Sequence, residues 1–419
     1  MITISTFKKL LVAFSIGLFA VVLPVRVSVP AEAFMWGVES HMYRQLWWPT
    51  EKYGVPDMSR EDGFDEIIQW IDDLGVDFVR DGGRIIDLMP SEGGLINFEI
   101  MNEIFSQLDA IGVKLNWIVQ ESPEWARDLS NGHINNYTCP PKLSELNEFW
   151  PAIASESAQF NPIIEIWNEP NLRGKDFWSG TSGEYFTLLR ESSASIKAVA
   201  PSTMVINGGF VIDYRNDEYI KNIKRLIEDG TVDMLAIHSH GNLDTLHENF
   251  TRNVAPYRIA SDRIFLNESG DFASSSSAEQ AKNVTGKAIY SLAHRFAGYS
   301  AYYLGLMNNS GNKDLDSAAP ADSYYFLVDP SKKTPRLSYA AYKFCIYTLR
   351  SAVISKILRE GNGVYHYLFQ AGERKFFVAI GGADKKQATA ALGTSEYSVF
   401  DMLGKLDGNR KEITYYITR

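Results

Sequence analysis

Residues 163–171 read IIEIWNEPN, and the reading of the whole chain turns on them. The isoleucines at the start fit a buried parallel strand. The end gathers an aromatic (Trp167), an amide (Asn168), a carboxylate (Glu169) and a proline (Pro170) in consecutive positions. Barrels keep their chemistry at the C-terminal ends of their strands. Working outward, a second carboxylate in the same kind of position is Glu268, in RIFLNESG at 263–270, which closes another apolar run.

These two runs belong to a series. Apolar, β-branched stretches recur at 34–39, 76–80, 113–119, 163–169, 203–207, 232–238, 263–267 and 299–306. Helical patterns separate them: Phe64, Ile67, Ile68, Ile71 and Leu74 share one face, as do Met101, Ile104, Phe105, Leu108 and Ile111. Gly75, Gly112 and Gly230 stand where helices close before a strand. Parallel strands need a helical crossover after each one, so this alternation predicts an α/β fold, a (β/α)8 TIM barrel over residues 34–350. The alternative, an open doubly wound sheet, offers no glycine-rich phosphate loop after its first strand. GGFVI at 208–212 lacks that spacing and is read as a turn. From 351 to 419 only strand-like runs are read, GVYHYLFQ, KFFVAIGG, EYSVFDMLG and EITYYITR, which predict a small C-terminal antiparallel β module. The helix that follows SSSS at 274–277 takes its cap from those serines.

Glu169 and Glu268 end the fourth and seventh predicted strands. Cleaving a glycosidic bond with retention needs two such carboxyls about 5 Å apart, one protonated and one ionised. Arg80, in DFVRDGG at 77–83, is a fixed cation that would keep Glu268 ionised, and that anion would raise Glu169. Glu165 precedes Glu169 by four residues; on an extended strand that is roughly 13 Å deeper, which makes it a structural partner. His238 and His240 lack a third ligand for a metal, so His238 is read as a hydrogen-bonding residue. His41 follows the first strand and is a candidate for substrate contact. In the long loops at 40–58 and 307–336, Trp47, Trp48, Tyr324 and Tyr325 are candidates either to stack on a sugar or to pack the loops down; Trp117 and Tyr302 are further substrate-contact candidates. No metal and no cofactor is expected.

EIWNEPN resembles the fourth-strand signature of clan A retaining glycoside hydrolases. The resemblance implies that Glu169 is the acid/base, Glu268 the nucleophile, and Asn168 the amide that binds the sugar 2-hydroxyl, with Arg80 beside the nucleophile. SPEWA at 122–126 is similar to the third-strand segment of glycoside hydrolase family 39, and YSVFDMLGK at 397–405 to the β module that accompanies its barrels. Two departures stand out. The sixth strand ends His238-Ser239-His240, where the clan often has His-x-Tyr, and the eighth offers Tyr299, Tyr302 and Tyr303 in place of a tryptophan. The partner implied is a carbohydrate, an oligo- or polysaccharide such as a β-xyloside, a related plant glycan or a bacterial exopolysaccharide. A carbohydrate-binding barrel without catalysis, and a transglycosylase using the same carboxylates, are the alternatives.

The net charge of −10, with 41 Lys and Arg against 51 Asp and Glu, gives no general attraction to nucleic acid or to an anionic membrane. Lys8, Lys9, the apolar run from Leu10 to Leu23 and Ala31-Glu32-Ala33 have the layout of a secretory signal. Residues 1–33 are therefore expected to direct export, to the periplasm or outside the cell, with membrane contact only if the signal stays uncleaved. The two cysteines, Cys139 and Cys345, fall in the third and eighth βα units, so no bridge is expected. Denatured without reductant, the protein should therefore give two thiols to a thiol reagent; a protein that gives none carries the disulfide this reading denies.

Overall fold

Side chains two residues apart share one face of a strand. Phe78 and Arg80 do so, and so do Ile163 and Glu165, Ala236 and His238, Phe265 and Asn267. Each pair sets an apolar residue below a polar one, so strands in register build an apolar floor under a polar layer. The computed structural model, which describes residues 33–47, 55, 57–172, 177–271, 276–305, 325–329, 332–406 and 412–418, has this arrangement inside a barrel.

Eight parallel strands surround the axis among the described residues: Met35–Glu39, Phe78–Arg84, Lys114–Gln120, Ile163–Ile166, Met204–Asn207, Leu235–His238, Ile264–Ser269 and Gly298–Ala301. The first pairs with both the second and the eighth, through Val38↔Val79 and Val38↔Ala301. A bridge between Ile206 and Met234 closes the ring at the fifth and sixth. The floor is a separate buried cluster of Phe78, Ile163, Ile206, Met234, Ala236 and Phe265. The larger core lies between strands and helices. Trp117 belongs to that outer core. It is fully buried and meets Phe105 edge-on at 5.4 Å, because its neighbour Asn116 takes the inward face. The expectation that Trp117 contacts substrate is corrected accordingly.

Gly75 and one of the serines at 274–277 cap helices as the sequence predicts. Arg60–Leu74 starts at Ser59, whose hydroxyl accepts the Asp62 N–H, and stops at Gly75 with φ 70°. Ser276 caps Ser277–Ala293. Cys139 and Cys345 are both buried and free, and among the described residues no helix is long and apolar enough to cross a membrane.

GGFVI is more than a turn. After Asn207 the fifth strand breaks at Gly208 and Gly209, then resumes as Phe210–Val211 beside the sixth. A Cβ on Gly209 would lie 1.9 Å from His238 Nε2, and one on Gly208 would lie 2.5 Å from the backbone of Trp167. The break lets the chain pass close to the His238 ring and to the backbone of Trp167.

Among the described residues the C-terminal sheet has five antiparallel strands, ordered Val353–Arg359, Tyr365–Ala371, Arg374–Ile380, Ile413–Thr418 and Tyr397–Asp401. The first was not read from the sequence: it is an edge strand with charged residues and little burial. The helix Lys385–Leu392, opened by an Asp384/Gln387 capping box, corrects the reading of this region as strands alone. Tyr365, Tyr367 and Phe369 join the core of the barrel helices, and Asp244 accepts from the Gly363 N–H at 3.0 Å and from the Tyr365 hydroxyl.

Gly209→Ala should cost about 1–3 kcal/mol of stability through overpacking, read by urea unfolding. A variant as stable as the parent would mean that the His238 ring is not held where the structure has it.

Candidate active site

The polar layer centres on Arg80, which is 1% exposed. Its Nε and Nη2 donate to the two oxygens of Glu165, both at 2.9 Å. Nη2 also donates to Asn168 Oδ1 at 2.8 Å. Nη1 donates to Glu39 Oε2 at 2.7 Å and to Glu268 Oε2 at 2.5 Å. Glu165 accepts three further hydrogen bonds, from Asn116 at 3.1 Å, Asn267 at 2.8 Å and the Gly209 N–H at 2.9 Å.

Simple alternation would send Glu268 outward, since Asn267 faces in. The seventh strand carries one extra residue here: Ile237 pairs with Leu266, but the next residue, His238, pairs with Glu268. This bulge lets both Asn267 and Glu268 turn to the axis. Glu169 arrives by another route. The fourth strand stops at Ile166, and Trp167 and Glu169 adopt left-handed backbone, φ 75° and 48°. The turn folds Glu169 back over the mouth. Its Oε1 lies 2.8 Å from His238 Nδ1, while Glu165 Oε1 lies 4.0 Å from His238 Nε2. One imidazole therefore separates the two carboxyls, and the extended-strand estimate that put Glu165 far below the chemistry is corrected.

The carboxyls differ in charge. Burial, helped by the negative charge of Glu268, pushes Glu169 up to about 8. Burial would raise Glu268 as well, yet its carboxyl is held well below the usual range by His238, Arg80 and the hydrogen bond from His240. Burial pushes His238 itself down to about 4, so near neutrality the lasting cation is Arg80. His240 Nε2 lies 3.2 Å from Glu268 Oε1. Glu39, which sequence reasoning did not select, is raised well above the usual range by burial and by Glu268. Asp81, likewise unselected and pushed up to about 6 by burial, accepts from Ser40 Oγ at 2.8 Å and the Met42 N–H at 2.6 Å, and so secures the loop after the first strand.

A cavity of about 480 Å³ opens over these groups, with His41, Asn168, His240, Tyr302 and Tyr325 on its walls. Of the predicted residues, Glu169, Glu268, Asn168, Arg80, His41, His240, Tyr302 and Tyr325 meet there, and His238 lies against Glu169. Trp47 does not line the cavity; it stacks on Tyr43, centroids 5.9 Å apart, which is the loop-packing role. Trp48 and Tyr324 lie outside the described residues. Glu169, His238 and Glu268 each offer an atom within 4.8 Å of the other two, a spacing that could suit a metal ion. Here Arg80 already engages Glu268 and His238 engages Glu169, so a cation would have to displace both contacts.

No protein-family model matches the chain. A β-xylosidase of Caldicellulosiruptor saccharolyticus is 31% identical over 177 residues, a match that spans 37% of this chain and 35% of that relative. Among solved structures, a family 39 glycoside hydrolase from the gut symbiont Bacteroides cellulosilyticus superposes with TM-score 0.65 at 15% identity, over 93% of this chain and 82% of the other. A family 39 β-xylosidase from Caulobacter crescentus gives 0.59 at 16%, over 93% and 96%, and a family 30 endoxylanase from Clostridium papyrosolvens gives 0.56 at 13%, over 93% and 97%. The chain resembles glycoside hydrolase family 39. At these identities the superpositions establish the fold, a TIM barrel with a C-terminal β module.

Glu165→Leu would leave two N–H groups of a buried guanidinium, on Nε and Nη2, without their acceptor. It should destabilise the fold by about 3–5 kcal/mol, seen as a lower urea midpoint; a midpoint at the parental value would contradict the central place given to this pair.

Proposed function

We propose that the protein is a retaining glycoside hydrolase that cleaves O-glycosidic bonds of an oligo- or polysaccharide. One observation carries this reading: a carboxyl that keeps its proton and one that stays ionised face each other with oxygens within 4.8 Å. That is the close spacing of the double-displacement mechanism; inverting enzymes leave about 6.5–9.5 Å for a water.

In the first step the Glu169 O–H bond breaks and its proton goes to the leaving-group oxygen. A Glu268 oxygen attacks the anomeric carbon as the bond from that carbon to the leaving group breaks. The resulting ester removes the negative charge of Glu268, which is one of the causes that raise Glu169, so Glu169, now ionised, suits the role of base. Water gives a proton to Glu169 and its oxygen to the anomeric carbon, and the ester bond to Glu268 breaks. Both carboxyls return to their starting states.

β-Xylosides are the first substrate class to try, on the strength of the partial match to a β-xylosidase. Export is proposed as well, from Lys8, Lys9, the apolar run and the small-x-small site; fractionation of expressing cells tests it, and protein confined to the cytoplasm would end it.

Glu169→Gln and Glu268→Gln should each lower turnover of 4-nitrophenyl β-D-xyloside by about 10²–10⁴-fold with the fold intact. Because Glu169 acts as an acid, activity should fall as pH rises through about 8, and Glu169→Gln should erase that limb. A 2-fluoro-xyloside should label Glu268, identified by peptide mass. Full activity in either variant across a glycoside panel would sink the assignment.

A further inference from the structure

The helix after the seventh strand, Ser277–Ala293, has an unusual inner face. Gln280, Asn283, Lys287 and Ser291 recur every three or four residues and all are at most 2% exposed. A barrel helix ordinarily offers apolar residues there, and a buried charge is costly unless fixed partners meet it. The partners of Asn283 and Lys287 converge on two loops. Lys287 Nζ donates to the Gly241 carbonyl at 3.0 Å and to the Gly270 carbonyl at 2.8 Å. Asn283 accepts the Leu243 N–H at 3.3 Å and donates to Asp271 at 2.6 Å. Gly241 itself donates its N–H to Gly270 O at 2.9 Å.

Those loops begin at the site. Gly241 follows His240 directly, and Gly270 follows Glu268 by two residues. The contact between His240 Nε2 and Glu268 Oε1, 3.2 Å, spans the seam between them. We propose that Lys287 is a positioning residue that clamps the ends of the sixth and seventh strands together and so holds His240 on Glu268. Lysine suits the task because one ammonium serves several carbonyls at once. Burial lowers Lys287 to about 8, so the ammonium persists at neutral pH. The catalytic consequence rests on the glycosidase reading; the clamp itself does not.

Lys287→Met keeps the length of the side chain and removes its donors. Hydrogen–deuterium exchange at 239–243 and 268–271 should quicken by about tenfold or more, which needs no substrate. On 4-nitrophenyl β-D-xyloside, kcat/KM should fall about ten- to a hundredfold, as for a reacting group displaced by about 1 Å, with KM little changed. The acid limb should move up by about one pH unit, since a loosened His240 no longer helps keep Glu268 ionised. If Lys287→Met does not fold, Asn283→Ala should move exchange and acid limb the same way, less far. A variant whose melting temperature drops while exchange in the two loops, or the acid limb, stays at the parental value overturns the proposal. Were the parent protein itself to cleave no glycoside, the functional reading would fail there, and exchange alone would decide the clamp.

Discussion

Arg80 has five N–H donors and the structure uses every one: two on Glu165 and one each on Asn168, Glu39 and Glu268. A guanidinium is planar, so five fixed acceptors leave it a single pose. Those acceptors come from the first, fourth and seventh strands or the turns that follow them, and Arg80 itself from the second. The mouth of the barrel is thereby assembled around one cation. Removing such a charge from water is expensive, and it is tolerable because no donor is wasted.

The same cation sorts the carboxyls. Arg80 touches Glu268 and not Glu169, whose hydrogen-bond partner His238 is neutral at working pH. One carboxyl is therefore held as the anion and the other keeps a proton, although both are buried. Glu39 shares Nη1 with Glu268 but is raised well above the usual range. Of the two carboxyls on that nitrogen, Glu268 is the one held low.

Periodicity made the barrel legible, because strands and helices announce themselves by spacing. Glu169, Glu268 and Arg80 were legible because each closes an apolar run or lies within one. What the sequence concealed was backbone irregularity. The turn that brings Glu169 over His238 depends on left-handed Trp167 and Glu169, residue types that do not signal that conformation. The bulge at Asn267 has no signature either, so nothing in RIFLNESG separates an inward from an outward Glu268. Trp117 was misplaced for the opposite reason: regular alternation did hold there, and with Asn116 bound to Glu165 the tryptophan had to face the helices. Glu39 and Lys287 went unselected since a lone charged residue in a strand or helix usually faces solvent.

The departures from the clan pattern acquire a physical sense in three dimensions. Where a tyrosine would stand near the nucleophile, His240 Nε2 lies 3.2 Å from Glu268 Oε1, so a ring with a hydrogen-bonding atom still meets the carboxylate. Where a tryptophan would stand under the sugar, Tyr302 meets His240 edge-on at 5.6 Å and Tyr325 edge-on at 5.0 Å. The groups that set charge, Arg80, Glu169, His238 and Glu268, rest on the floor of the barrel and are locked to one another. The groups that differ stand on the wall, where their contacts are largely between rings. Changes at Tyr302 or Tyr325 can reshape the space for a sugar while the hydrogen bonds of Arg80 stay in place, whereas a change at His240 also removes a contact that helps hold Glu268 low.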